Sequence, residues 1–234
     1  MQSAKSLGAE LVMPAEFVSA DVEEESNGVH YSVNGTMHTC RARLLVNATG
    51  PWANILLDKI NPSPKKREFD LVAGTHIVFD APPPRGIYYV EAPQDQRAVF
   101  VMPWKGKTMI GTTEKIFEGN PSDLLPTPEE ESYLCEVAAH YFPKFTSFKR
   151  GDIDSSFAGL RVLPHASGKA FSRPRETTFY IDKTTAPRIA TIYGGKLTAF
   201  RVTAEKFVTK FAKKLPRRTR KARTSDLKLT PVKS

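Results

Sequence analysis

The stretch Ile192-Tyr193-Gly194-Gly195-Lys196-Leu197-Thr198-Ala199-Phe200-Arg201 combines residue types that can meet a ligand. A short apolar strand, Arg188 to Tyr193, runs into two glycines and then into a helix-forming run, Lys196 to Leu215. Paired glycines let the backbone turn sharply and approach a ligand with no Cβ in the way. A helix that follows aims its unpaired N–H groups at an electron-rich or anionic group, and Lys196 adds a mobile cation with three donors. A plain glycine turn between packed elements uses the same residues. His76 stands in an otherwise apolar strand, either as a satisfied core histidine or as a group that titrates near neutrality. Arg161 and Arg175 read by themselves as ordinary surface charges on strand ends.

The elements that position these residues follow from punctuation and periodicity. Met1 to Gly8 reads as the last turns of a helix closed by Gly8, followed by strands over Ala9–Met13, Glu16–Glu23, Gly28–Asn34 and Met37–Arg41. Ser26-Asn27-Gly28 and Asn34-Gly35 supply the hairpin turns. Leu44-Leu45-Val46-Asn47-Ala48-Thr49 reads as a buried strand that ends on Gly50-Pro51-Trp52 and leads into a short helix, Ala53 to Ile60. Doubly wound folds present backbone to a nucleotide in this way; a βα connection with a packed tryptophan is the alternative. Past a basic, proline-rich link (61–67), strands over Asp70–Asp80, Gly86–Glu91, Ala98–Trp104, Thr108–Thr113 and Asp152–Leu163 suggest an inserted, mostly antiparallel sheet. Thr127 to Phe142 reads as a helix with Thr127 as cap, Pro128 at its first position and three glutamates facing the positive end of the dipole. Arg175 to Asp182 is a further strand.

At 234 residues and 40% hydrophobic content the chain can bury a full core in one large or two small domains. No apolar run approaches the length of a membrane span, and no signal-peptide pattern opens the sequence. Cys40 and Cys135 are far apart and lack metal-ligand spacing, so they read as thiols of a reducing compartment, and no metal site is expected. Nine of the basic residues fall between Lys206 and Arg223 with no acidic residue among them, and this segment alone equals the net charge of +9. A solvated tail is the first reading of that run and an anionic membrane surface the second; nucleic acid is not expected, because a nucleic-acid face would spread its charge and interleave aromatics.

Taken together, Asn47-Ala48-Thr49-Gly50-Pro51-Trp52, Gly74-Thr75-His76, Val101-Met102-Pro103-Trp104, Ile110-Gly111-Thr112-Thr113, Gly159-Leu160-Arg161 and Gly194-Gly195-Lys196-Leu197-Thr198 occur in one order with sensible spacing. This set resembles the FAD-dependent glycerol-3-phosphate dehydrogenase family, within the wider D-amino-acid-oxidase-like flavoproteins, over most of the chain from about Met1 to Phe211. The resemblance implies an α/β (α+β) fold: a partial FAD-binding doubly wound domain (1–67 and 183–215), an inserted mostly antiparallel substrate domain (68–182) and a basic polar tail (216–234). It implies FAD as cofactor, glycerol 3-phosphate as substrate and a quinone or other electron acceptor.

It also implies roles by position. Arg161 and Arg175 would clamp the phosphate, His76 would be the general base, and Lys196 would polarise developing charge near the substrate oxygens or the flavin. Gly194, Gly195, Leu197 and Thr198 would offer backbone donors to the flavin ring, and Ala48, Thr49, Gly50 and Trp52 would line the cofactor from the other side. Pro103 and Trp104 are expected to pack, and Arg201 to cap or pair on its helix. The family's strand–GxGxxG–helix unit is not found here, and Met1 falls inside the helix leading to the family's middle section. A fragment, inactive alone, is therefore expected, in the cytoplasm or peripheral at the inner face of the cell membrane. An amine or amino-acid oxidase of the same superfamily and a non-catalytic binding module are the alternatives.

Overall fold

The computed structural model describes residues 1–165, 176–212, 219 and 222–230. The chain runs through α1 (Gln2–Ser6), β1 (Glu16–Val22), β2 (Asn27–Val33), β3 (Thr36–Ala42), β4 (Leu45–Asn47), α2 (Ala53–Asp58), β5 (Ile60–Asn61) and β6 (Phe69–Phe79). It continues through β7 (Tyr88–Glu91), β8 (Ala98–Trp104), β9 (Lys107–Gly111), β10 (Lys115–Phe117), α3 (Pro128–Tyr141), β11 (Ile153–Pro164), β12 (Thr178–Ile181), β13 (Ile189–Tyr193) and α4 (Phe200–Phe211). Two compact units divide it: Met1–Arg67 with Arg175–Ser234, and Glu68–Pro174.

In the first unit the hairpins β1–β2 and β2–β3 form an antiparallel meander, and β5 adds to β1 in parallel, giving the order β3-β2-β1-β5. A second sheet has the order β12-β13-β4, in which β13 and β4 are parallel and in register from Ile189↔Leu45 to Thr191↔Asn47. Ala20, Val29, Leu57, Ile60 and Ile189 form one core cluster, and Ala190 packs with Phe207 and Phe211 of α4 in another. The expected strand over Ala9–Met13 does not form. Leu11, Val12 and Met13 are exposed, and β1 already has a partner on each side, so no sheet edge is open to them there. β12 pairs with β13, so the chain returns to this unit before Thr178 and not at 183.

The second unit is a six-stranded sheet organised on β6, with the order β10-β6-β9-β8-β7 and β11 paired along the whole length of β6 on its other side. Strand alternation sends Ile77 and Phe79 to one face, where they join Val99, Val101 and Ile110 and meet Leu134, Val137 and Ala138 of α3. Gly74 and His76 belong to the opposite face. The α3 cap is as expected. The Thr127 hydroxyl accepts a hydrogen bond from Glu130 N and the Glu130 carboxylate accepts one from Thr127 N, a capping box with Pro128 at the first helical position. Glu130 also accepts from the Thr113 hydroxyl, which itself accepts from Thr75 N at 2.8 Å. The polar link ties Thr113, just past the end of β9, to β6 and to α3. The cysteines are free thiols, Cys40 exposed and Cys135 buried. Burial and the nearby Glu131 carboxylate push the Cys135 thiol up to about 11.

Candidate functional site

In the first unit, β4 and β13 run in parallel side by side, so the loops at their C-terminal ends leave from the same edge of the sheet. One loop is Ala48-Thr49-Gly50-Pro51-Trp52, the other Gly194-Gly195-Lys196-Leu197-Thr198. β4 is shorter than expected because Asn47 ends it. Its buried Oδ1 accepts from Thr49 Oγ1 at 2.7 Å and from Thr49 N at 3.3 Å, while Nδ2 donates to Ala53 O at 2.9 Å. One amide therefore folds the turn and pins the start of α2. We expect Asn47→Ala to cost about 1–3 kcal/mol, the scale for stranding buried partners; denaturant unfolding would show it as a lowered midpoint at unchanged slope.

The turn places Gly50 at φ +58°, with nothing within 4 Å of where a Cβ would be. Ala48 and Thr49 are exposed, and Trp52 is 41% exposed. In the facing loop Gly194 and Gly195 both take positive φ, 71° and 93°, and a Cβ on Gly195 would lie 2.5 Å from Thr177 Oγ1. Lys196 and Thr198 are exposed and Leu197 is 90% exposed. The helix starts later than its propensity suggests: Leu197–Ala199 form a single 3₁₀ turn and α4 begins at Phe200. Arg201 pairs with Glu205 on the surface of α4 at 3.0 Å, as expected. Two glycine turns with open backbone, flanked by an exposed tryptophan and an exposed leucine, fit a flat ring with a polar edge. The isoalloxazine of FAD is such a ring.

In the second unit β6, β9 and β11 bring His76 and Arg161 to the same face. Arg161 pairs in register with Val72, one position from Ala73 and two from Gly74. Its guanidinium occupies the space that a side chain at Gly74 would need: a Cβ there would lie 2.6 Å from Nη2 and 2.4 Å from Thr112 Oγ1. Arg161 Nη2 donates to Thr112 Oγ1 at 3.1 Å, and the Thr112 hydroxyl donates onward to Thr113 O. His76 fills the space over Gly111 and stacks on Phe157, with centroids 5.0 Å apart and planes 6° from parallel. The satisfied-core reading of His76 does not hold, because its Nδ1 is buried and has no hydrogen-bond partner among the described residues.

Burial, reinforced by the Arg161 charge, lowers the His76 pKa from its ordinary value. The unfolded chain therefore takes up this proton more readily than the folded one. The stability His76 contributes is complete above the ordinary histidine range and is lost as pH falls through its lowered value. Near neutrality the ring is uncharged and holds a lone pair, as a proton acceptor requires.

Gly74, Gly111, Thr112 and Phe157 received no role from the sequence. Glycines inside strands are the one local signal that the backbone is making room for a neighbour. Arg175, the other expected arm of the clamp, lies outside the described residues, as do 213–218, 220 and 221 of the basic run. Trp104, expected to pack, is 42% exposed, and the Lys105 ammonium sits 5.7 Å from its ring centroid. Among the described residues no helix is long and apolar enough to cross a membrane.

Comparison with known proteins supplies the family. The profile of the DAO family, FAD dependent oxidoreductases, matches residues 1–201. The D-erythritol 1-phosphate dehydrogenase of Brucella abortus is 32% identical over 177 residues, 75% of this chain and 35% of that protein. An aerobic glycerol-3-phosphate dehydrogenase of Staphylococcus aureus is 30% identical over 223 residues, 92% of this chain and 39% of the relative. The chain thus spans well under half the length of these relatives. Among solved structures, the glycerol-3-phosphate dehydrogenase from Bacillus halodurans complexed with FAD superposes with a TM-score of 0.78 at 29% identity, covering 91% of this chain and 41% of that one. NikD, an amino acid oxidase, superposes at 0.61 with 18% identity over 91% of this chain and 52% of that one, a likeness of fold alone.

Proposed function

The chain belongs to the FAD-dependent oxidoreductase family, and from that premise we propose that it forms part of a dehydrogenase that oxidises glycerol 3-phosphate to dihydroxyacetone phosphate. The single observation that carries the reading is the pairing on one sheet face of a half-buried arginine with an uncharged, partly buried histidine. An anionic phosphate ester and a hydroxyl to be deprotonated are what such a pair serves. The names of the Brucella and Staphylococcus relatives agree in class, since both substrates are phosphorylated polyols.

Bound FAD supplies the group that accepts the hydride from the carbinol carbon. The chain's own residues supply the rest. Arg161 presents a planar fork of donors to the phosphate, with Arg175 as the proposed second arm. His76 accepts the proton of the secondary hydroxyl as the C–O bond gains double-bond character. Lys196, exposed beside the glycine turn, offsets negative charge that builds on oxygen. The turns at Gly50 and Gly194–Gly195 hold the flavin ring with backbone groups, and Ala48, Thr49, Trp52, Leu197 and Thr198 line it.

Electrons would then pass to a quinone or another acceptor. We assign contact with an anionic membrane surface to 206–223, and with it a cytoplasmic, peripheral location. In support, Lys206 and Lys210 are exposed on α4 beside an exposed Val208. The test of the reaction is a comparison of kcat/KM for glycerol 3-phosphate, D-erythritol 1-phosphate and glycerol with flavin-loaded protein. Glycerol 3-phosphate should be turned over best and unphosphorylated glycerol worst. Equal use of glycerol with and without its phosphate would remove the clamp from the account.

A further inference from the structure

The registers of the second unit place Tyr89, Phe100, Gly111, His76 and Phe157 in one row across five adjacent strands, β7, β8, β9, β6 and β11. Side chains at directly opposite positions stand close enough to touch, and here the row has a single gap. Gly111 contributes no side chain, and the His76 ring lies in the vacant space: a Cβ at 111 would be 2.3 Å from His76 Cδ2, 2.7 Å from Cγ and 2.9 Å from Nε2. On the opposite side the ring stacks on Phe157, with the two planes nearly parallel. No hydrogen bond to a described residue fixes Nδ1, so packing has to set the ring plane.

We propose that Gly111 and Phe157 form a slot that orients His76, and that both are positioning residues for the proton-accepting step. Gly111 keeps one side open so that the imidazole lies flat across β9. Phe157 closes the other side and excludes water from one ring face, which opposes protonation. Phe157 is itself 44% exposed, so its ring is not a core element whose loss would unfold the sheet. The inference rests on the reading of His76 as the base.

The experiment uses two readouts on flavin-loaded protein. One is the titration of His76 followed by NMR of its ring, which needs no turnover. The other is the pH dependence of flavin reduction at saturating glycerol 3-phosphate. Phe157→Leu should raise the pKa of His76, move the acid limb of the rate profile to higher pH and slow reduction about tenfold, with KM little changed. Phe157→Tyr keeps a stacking ring and should restore both readouts. An unmoved His76 titration in Phe157→Leu overturns the slot. A moved titration with an unchanged rate overturns its role in the reaction. His76→Gln separates the premise from the inference: full activity in that variant removes His76 as base, whatever Phe157→Leu does to the ring.

Discussion

Arg161→Ala should raise the KM for glycerol 3-phosphate roughly 10- to 150-fold, the range set by about 1.5–3 kcal/mol for a hydrogen bond to a charged group. Three features hold the guanidinium in place. Gly74 leaves it room, Thr112 accepts from Nη2 at 3.1 Å, and β11 is paired with β6 throughout. A second effect of the same substitution has a definite sign. Burial is the larger cause of the lowered His76 pKa and the Arg161 charge the smaller. Removing that charge raises the pKa part of the way back, so activity should begin to fall at a higher pH on acidification. Arg161→Lys separates the two effects. It keeps the charge and should hold the acid limb in place, but it lacks the planar fork and should leave KM raised. A KM unaffected by either substitution would detach Arg161 from substrate binding.

Gly195→Val should abolish tight flavin retention. The position has φ +93°, which a β-branched residue adopts only under strain, and a Cβ there would lie 2.5 Å from Thr177 Oγ1. Backbone strain and the contact together amount to a few kcal/mol, or roughly a hundredfold in affinity. The loop has one simple way to relieve this, a shift away from β12, and that shift displaces the backbone groups offered to the ring. Adding Thr177→Ala removes the contact but not the φ strain, so the double variant should recover part of the affinity. Flavin fluorescence quenching measures both. Undiminished binding in Gly195→Val would mean that this turn does not touch the cofactor.

Much of the second unit was legible in the sequence because its signals are local. The apolar run of β6, the strands β8 and β9, and the Thr127-Pro128 start of α3 fall within a residue or two of their expected bounds. Short elements were not legible. β5 is two residues long and exists only because Ile60 and Asn61 lie beside Ala20 and Asp21 of β1. β10 likewise depends on the long free flank of β6. Leu11, Val12 and Met13 illustrate the reverse case, a strand-like run that stays exposed beside a β1 already paired on both sides. The site divides in the same way. His76 and Arg161 received roles only through the resemblance that their motifs carry, whereas Phe157, Gly111 and Thr112 acquire theirs from register. No local pattern states that position 157 lies opposite 76, or that 76 lies opposite 111. Within the first unit, the side-by-side placement of the two glycine turns depends on β4 and β13 being parallel neighbours, though some 140 residues separate them in the chain.

The most direct test of the central claim is the visible spectrum of flavin-loaded protein before and after anaerobic addition of glycerol 3-phosphate. Loss of the oxidised flavin band is expected with glycerol 3-phosphate, and no change with glycerol or with D-amino acids. A band that survives glycerol 3-phosphate and disappears with an amino acid would contradict the claim, and would assign Arg161 and His76 to a carboxylate substrate.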